Sequence, residues 1–189
     1  MNKIILASQS PRRKELLSML EIPFDIIVAD INEQIDYNND LVEEIKKLSY
    51  QKAEAVFKDH QDNIVIGSDT IVYIDNEVLG KPKTIENAKE MLHKLSNRTH
   101  QVVTAVTIMS KDKVDTFASI TDVTFYELSD EEINRYVDSI EPLDKAGAYA
   151  IQGKGSEFVK SINGDYYTVV GLPVAELFHR LKKFNADIV

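Results

Sequence analysis

The stretch Ile4-Ile5-Leu6-Ala7-Ser8-Gln9-Ser10-Pro11-Arg12-Arg13-Lys14-Glu15-Leu16-Leu17 decides the fold class. Its apolar opening reads as a buried strand over about residues 3–7, running into a turn of hydroxyl residues. Ser10 carries an N-cap side chain, and Pro11 stands at a first helical position, where a missing N–H leaves no bond unmade. Leu16, Leu17 and Leu20 recur at helical spacing and form the buried stripe of that helix. A strand that leads directly into a capped helix is α/β grammar.

The remainder of the chain continues it. A second helix is expected over about 39–59, with Ile45, Leu48, Ala53, Val56 and Phe57 as its apolar positions. A strand follows at Asn63–Gly67, then a hairpin pairing Ile71–Ile74 with Glu77–Leu79 across Asp75-Asn76. Thr84 opens a helix whose Ala88, Met91, Leu92 and Leu95 face inward. Two long strands, near 100–109 and 114–126, are rich in Val, Thr and Ile. Ser129 and Glu132 form a capping box for a helix reaching about Ser139. A last hairpin is expected to turn at Asn163-Gly164, and a final helix begins at Pro173; Tyr166-Tyr167 suit stacking on a base, although paired aromatics in a strand more often pack across a sheet.

With 189 residues, the chain suits one domain or two tightly joined lobes. No apolar run approaches the roughly 20 residues that span a bilayer, so no membrane partner is expected. The absence of cysteine excludes disulfides, thiolate zinc sites and a cysteine nucleophile, and it points, weakly, to the cytoplasm. A net charge of −9 argues against a general nucleic-acid binder. The distribution says more than the sum. Lys3, Arg12, Arg13 and Lys14 precede any acidic residue, whereas Glu21 to Ile45 holds eight acidic residues and no Lys or Arg. Two solvated faces would give this pattern, and so would a basic anion pocket with carboxylates nearby to hold its metal.

Four segments have side chains suited to chemistry. Ser8-Gln9-Ser10-Pro11-Arg12-Arg13 puts free backbone N–H groups, a helix dipole and two arginines at one strand end, which suits phosphate oxygens. It lacks the glycines and the Gly-Lys-Ser/Thr ending of a Walker A loop. Gly67-Ser68-Asp69-Thr70 follows an apolar strand, so Asp69 is placed to bind a divalent metal or to take a proton from water; the same residues also fit a turn aspartate capping its own backbone. Gly80-Lys81-Pro82 holds a lysine on a constrained backbone. Asp144–Gly153 surrounds Lys145 and Gln152 with small residues, and Gln152 has the paired donor and acceptor that reads a base edge. A plain glycine-rich turn fits that segment equally. The histidines (His60, His93, His100, His179) show no metal-ligand spacing, and neither a Gly-x-Ser-x-Gly elbow nor a Gly-x-Gly-x-x-Gly loop occurs.

The order of these motifs resembles the Maf nucleotide pyrophosphatases. Ala7–Leu17, Gly67-Ser68-Asp69-Thr70, Leu79-Gly80-Lys81-Pro82, Asp144–Tyr149 and Val170-Gly171-Leu172-Pro173 match in sequence, from about Ile5 to the final helix. The resemblance implies a single domain over 1–189: an α/β fold similar to inosine triphosphate pyrophosphatases, with a long mixed sheet, flanking helices and two lobes around one cleft. It implies Asp69 and Glu33 as catalytic and metal-binding carboxylates, with Mg²⁺ or Mn²⁺ as cofactor. Ser8, Arg12, Arg13, Lys52 and Lys81 match positions that contact the triphosphate or shape its pocket. Arg12, Thr70 and Gln152 match the selectivity positions of the dTTP/UTP group. Thr168, where many members have Asn, and Ser68, where many have Ala, depart from the pattern.

The expected activity is hydrolysis of dTTP or UTP, and of related modified pyrimidine nucleotides, to the monophosphate and pyrophosphate by metal-activated water. A homodimer in the cytoplasm is implied, with a nucleoside triphosphate as the small-molecule partner. Two alternatives remain open on the sequence: a nucleotide-binding regulator of cell division or septation with little turnover, and removal of non-standard nucleotides. The presence of both Glu33 and Asp69 favours the enzyme, since a binder has less need of carboxylates beside phosphates.

Overall fold

The computed structural model describes residues 3–36 and 39–184. In chain order its regular elements are β1 (Ile4–Ala7), α1 (Pro11–Ser18), β2 (Phe24–Ile26), α2 (Leu41–Phe57), β3 (Ile64–Ile74), β4 (Glu77–Leu79), α3 (Ile85–Leu95), β5 (Thr99–Met109), β6 (Val114–Phe125), α4 (Asp130–Val137), β7 (Val159–Asn163), α5 (Tyr166–Val170) and α6 (Val174–Leu181), with short 3-10 turns between α4 and β7. Seven strands form one mixed sheet in the order β2-β1-β3-β5-β6-β7, and β4 pairs with β3. β1 runs parallel to β2 and β3, whereas β3–β4 and β6–β7 are antiparallel. This is the expected α/β class, a mixed sheet flanked by helices.

The chain divides into two compact units. The first comprises Met1–Asp69, Thr104–Ser119 and Gly171–Val189. In it Ile5, Ala7 and Val65 of the parallel strands pack with Ala53 and Val56 of α2 and with Met109. Gly67 lets α2 approach: a Cβ there would lie 2.6 Å from Ala53 N and nearer still to Ser49 O, so any side chain would push strand and helix apart. Asp40 caps α2 by accepting from Val42 N and Glu43 N. Farther along the chain, Arg180 Nη1 of α6 donates to both oxygens of Asp115 at 2.8 and 3.0 Å, its Nε and Nη2 donate to Glu176 Oε1, and its guanidinium lies over Phe117.

The second unit comprises Thr70–Val103 and Ile120–Val170. Its core gathers Val72, Leu79, Leu92, Leu95, Val123 and Ile133 around fully buried Phe125. The Phe125 ring meets His100, Tyr149 and Phe158, and Tyr136 in turn packs edge-on against Phe158 at 4.9 Å. The predicted capping box is present, with Ser129 and Glu132 exchanging bonds at the start of α4.

Three expectations need correction. The strand at Asn63–Gly67 and the first arm of the hairpin are one strand, β3, which continues through Ser68-Asp69-Thr70. These polar residues have the composition of a turn, but Ser68 is fully buried and donates to Gly171 O at 3.5 Å. Asp69 therefore stands within a strand, two residues beyond the Ala7↔Gly67 pair that ends the β1 pairing. The hairpin expected at Asn163-Gly164 is instead a strand-to-helix turn, and Tyr166 and Tyr167 lie in α5. The physical reason is Asp165, whose Oδ2 accepts from Thr168 N at 2.6 Å and Thr168 Oγ1 at 2.8 Å and so caps the helix. Thr168, the departure from the family pattern, is thus the capped residue and is fully buried. Finally, β2 had no counterpart in the sequence reading: it is a three-residue edge strand carrying Asp25, too short to show alternation.

Candidate active site

The first unit assembles six of the expected residues from five segments. β1 ends at Ala7, and Ser8 follows, nearly buried. Its Oγ accepts from Ser10 N at 3.2 Å and from Arg13 Nη1 at 3.4 Å. Ser10 caps α1 by accepting from Arg13 N, and Pro11 occupies the first turn, as the sequence requires. The turn therefore orients Arg13 from two sides, and Arg13 Nε donates to Gly171 O at 2.9 Å.

Lys52, on α2, is the centre of the charge arrangement. Its Nζ lies 2.6 Å from Asp69 Oδ1 and 2.8 Å from Glu33 Oε1. The lysine and Asp69 side chains are only 11% and 15% exposed, whereas Glu33 is 56% exposed, so the inner pair is the stronger one. Burial pushes the Arg13 guanidinium below its ordinary value and Arg12 adds to that, while the charges of Asp69 and Glu33 oppose it. Arg12, Arg13, Glu33, Lys52 and Asp69 thus act on one another within a single charged patch at the end of β1.

Such an arrangement can hold an anion and a cation together. Two carboxylate oxygens share one ammonium, and oxygen donors of this kind are the ligands a hard divalent cation takes. Among the described residues no group of three or more Asp, Glu or His side chains is arranged to hold a metal by itself. The donor set fits a cation bound jointly by protein and substrate.

Thr70, Lys81 and Gln152 belong to the second unit, each in its own local setting. Thr70 is half-buried in β3, and Lys81 and Gln152 are exposed. Beside Lys81, Gly147 N donates to Gly80 O at 3.2 Å and Pro82 is buried, so the backbone on both sides of the lysine is fixed. Gly147 has φ of 68°, and a Cβ there would lie 2.9 Å from the Val72 methyls, which accounts for the glycine in the Lys145–Tyr149 segment.

Two residues had no role in the sequence reading. Gly171, present there only as part of the Val170–Pro173 motif, has φ of 128° and presents the carbonyl that receives both Arg13 and Ser68. Glu44 is the other. It is nearly buried in the first turns of α2, where it accepts from Lys47 Nζ, Asn39 Nδ2 and Asp36 N. Those bonds, led by that from Lys47, hold its carboxyl below the usual range and tie down part of the loop that carries Glu33. The visible sign was an acidic residue four positions before buried Leu48, on the helix's inner stripe.

Residues 3–184 match the family described as Maf-like protein. A protein of Bacillus cereus (strain G9842) named dTTP/UTP pyrophosphatase is 54% identical over 188 residues, covering 100% of this chain and 98% of the relative. Relatives of the same name from Bacillus anthracis and Bacillus mycoides (strain KBAB4) are 54% and 53% identical over the same span. On the strength of the motif order, the charged patch and a match over almost its entire length, this chain belongs to the Maf-like family.

Proposed function

We propose that this chain is a nucleoside triphosphate pyrophosphatase acting on dTTP and UTP, releasing the nucleoside monophosphate and pyrophosphate. The observation that carries the reading is Lys52, whose ammonium joins Asp69 and Glu33 beside Arg13. A triphosphate brings about four negative charges, so its cleavage depends on positioning and charge stabilisation more than on covalent chemistry.

In this reading Ser8, Arg12, Arg13, Lys52 and Lys81 bind the phosphates. Asp69 and Glu33 hold a divalent cation, Mg²⁺ or Mn²⁺, which when bound neutralises phosphate charge and makes the attacking water more acidic. Water adds in line to the α-phosphorus, the bond to the oxygen bridging α and β breaks, and Asp69 accepts the water's proton. Once phosphate oxygens arrive, Lys52 and the arginines face the charge that develops on the departing pyrophosphate; losing one such group costs on the order of 10²–10³ in rate. Arg12, Thr70 and Gln152 choose the base, since a site that hydrogen-bonds one base edge rejects those that leave its groups unpaired. The reading takes the chain as one catalytic domain, working as a homodimer in the cytoplasm.

The test is pyrophosphate release from a panel of nucleoside triphosphates with Mg²⁺ or Mn²⁺ and then with EDTA, for wild type and Asp69→Asn. Metal-dependent turnover of dTTP and UTP that Asp69→Asn abolishes is the expected result. Hydrolysis confined to modified purines would overturn the base assignment. Tight binding with no turnover of any nucleotide would make the protein a regulator instead.

A further inference from the structure

Gln152, taken above as a base-reading residue, is exposed, so no surrounding core fixes its side chain. Its placement depends on the backbone around it, and that backbone is held on both sides. Before it, Ala150 N donates to Tyr136 Oη at 3.2 Å. After it, Lys154 N donates to Glu141 Oε2 at 3.4 Å. Tyr136 Oη donates to Glu141 Oε1 at 2.9 Å, which joins the two anchors into one bridge beneath the loop. Within the loop Gly153 N donates to Ala150 O at 3.1 Å and closes a tight turn over Gln152.

The glycines of this segment leave room for the bridge. A Cβ on Gly153 would lie 2.7 Å from Glu141 Cδ, and one on Gly155 would lie 3.1 Å from Tyr136 Oη and 2.9 Å from Ala150 O. Gly153 has φ of −103°, which any residue adopts, so space rather than backbone conformation requires the glycine there. Tyr136 is itself anchored, buried at the end of α4 against Phe158. The chain reaches Glu141 through Ile140, a β-branched residue with φ of 55° and a side chain left 69% exposed. Such a conformation is strained for isoleucine and persists only where its surroundings fix it. Here it turns the chain so that the next residue delivers its carboxylate to the loop.

We propose that Glu141, acting through Tyr136 and the 150–154 backbone, is a positioning residue for base selectivity. This rests on the reading of Gln152 as the residue that meets the base. Glu141 touches no substrate. It decides where Gln152 stands, and so how well a pyrimidine carrying the matching donors and acceptors is told from the others.

The test measures kcat and KM for dTTP, UTP and CTP in wild type, Glu141→Ala, Tyr136→Phe, Gln152→Ala and the Glu141→Ala/Gln152→Ala double variant. Loss of the bridge should raise KM for dTTP and UTP about 3- to 10-fold, the value of one or two net hydrogen bonds, with a much smaller change in kcat. The preference over CTP should fall, and the double variant should be no worse than Gln152→Ala alone. Hydrogen exchange at the Ala150 and Lys154 amides should quicken in Glu141→Ala while exchange in β3 and β5 is retained, which separates a loosened loop from an unfolded protein. Wild-type KM and preference in Glu141→Ala, with Gln152→Ala altered, would overturn the proposal and leave the Gln152 reading standing. Additive losses in the double variant would also overturn it, because Glu141 would then act elsewhere. Unchanged preference in Gln152→Ala would remove the reading itself and the proposal with it.

Discussion

Replacing Lys52 with methionine keeps the length of the side chain and removes the ammonium that Asp69 and Glu33 share. The cost can be worked from exposure. Asp69 is 15% exposed and its partner 11%, so the loss strands a mostly buried carboxylate, a change that typically costs about 3–5 kcal/mol. Glu33 is 56% exposed and stays hydrated, so its share is that of a surface pair, about 0–1 kcal/mol. The Arg13 guanidinium, already in electrostatic reach of Asp69, offsets part of this and places the sum near the lower end, about 3 kcal/mol. For a chain of this size that corresponds to a fall in Tm of roughly 6–12 °C. Calorimetric unfolding at neutral pH without divalent metal measures it directly. Lys52→Met/Asp69→Asn should recover much of the loss, because no uncompensated charge is left. A Tm for Lys52→Met equal to wild type would refute the reasoning, since the pair would then contribute nothing to the fold.

Gly67→Ala should lower stability by about 1–3 kcal/mol and also reduce turnover, because its Cβ would displace α2, which carries Lys52, from the strand that carries Asp69; thermal unfolding together with pyrophosphate release checks both. Burial holds the fully enclosed His100 ring down to about 4, so the unfolded chain binds its proton before the folded one does. Its contribution is complete above about pH 6.5 and falls by up to roughly 3 kcal/mol as pH drops through 4; the stability difference between wild type and His100→Gln, followed from pH 7 to 4, isolates that slope from the carboxylates. Arg180→Lys cannot bond Asp115 and Glu176 at once through separate nitrogens or stack over Phe117, and a loss of about 1–2 kcal/mol in denaturant unfolding is expected.

The sequence was most readable where local chemistry and tertiary structure agree. Ser10-Pro11 announced the start of α1 because its cap is made within three residues, and Ser129 with Glu132 did the same for α4. It misled where a polar residue finds its partner far along the chain. Ser68 reads as part of a turn until Gly171 O, more than a hundred residues later, receives its hydroxyl and keeps β3 continuous. The strand-to-helix turn at Gly164 was hidden for the opposite reason: Asn-Gly is a hairpin signal, and only the cap from Asp165 to Thr168 turns the chain into α5. Among site residues, Asp69 and the Ser8–Arg13 turn were visible from spacing and type. Glu33 came only from the resemblance to a family, because an exposed acid in a loop of irregular structure has no periodicity to mark it. Lys52 was named on the same ground, and its bond to both carboxylates could be read only from the folded chain, since it joins residues 33, 52 and 69.

The central claim, hydrolysis between the α and β phosphates by attack of water at the α-phosphorus, has a direct measurement. Turnover of dTTP or UTP in ¹⁸O-labelled water, with phosphorus NMR or mass spectrometry of the products, shows which phosphorus received the water oxygen. The account predicts one labelled oxygen in the nucleoside monophosphate and none in pyrophosphate. Label in the pyrophosphate, or release of orthophosphate with a nucleoside diphosphate, would contradict it.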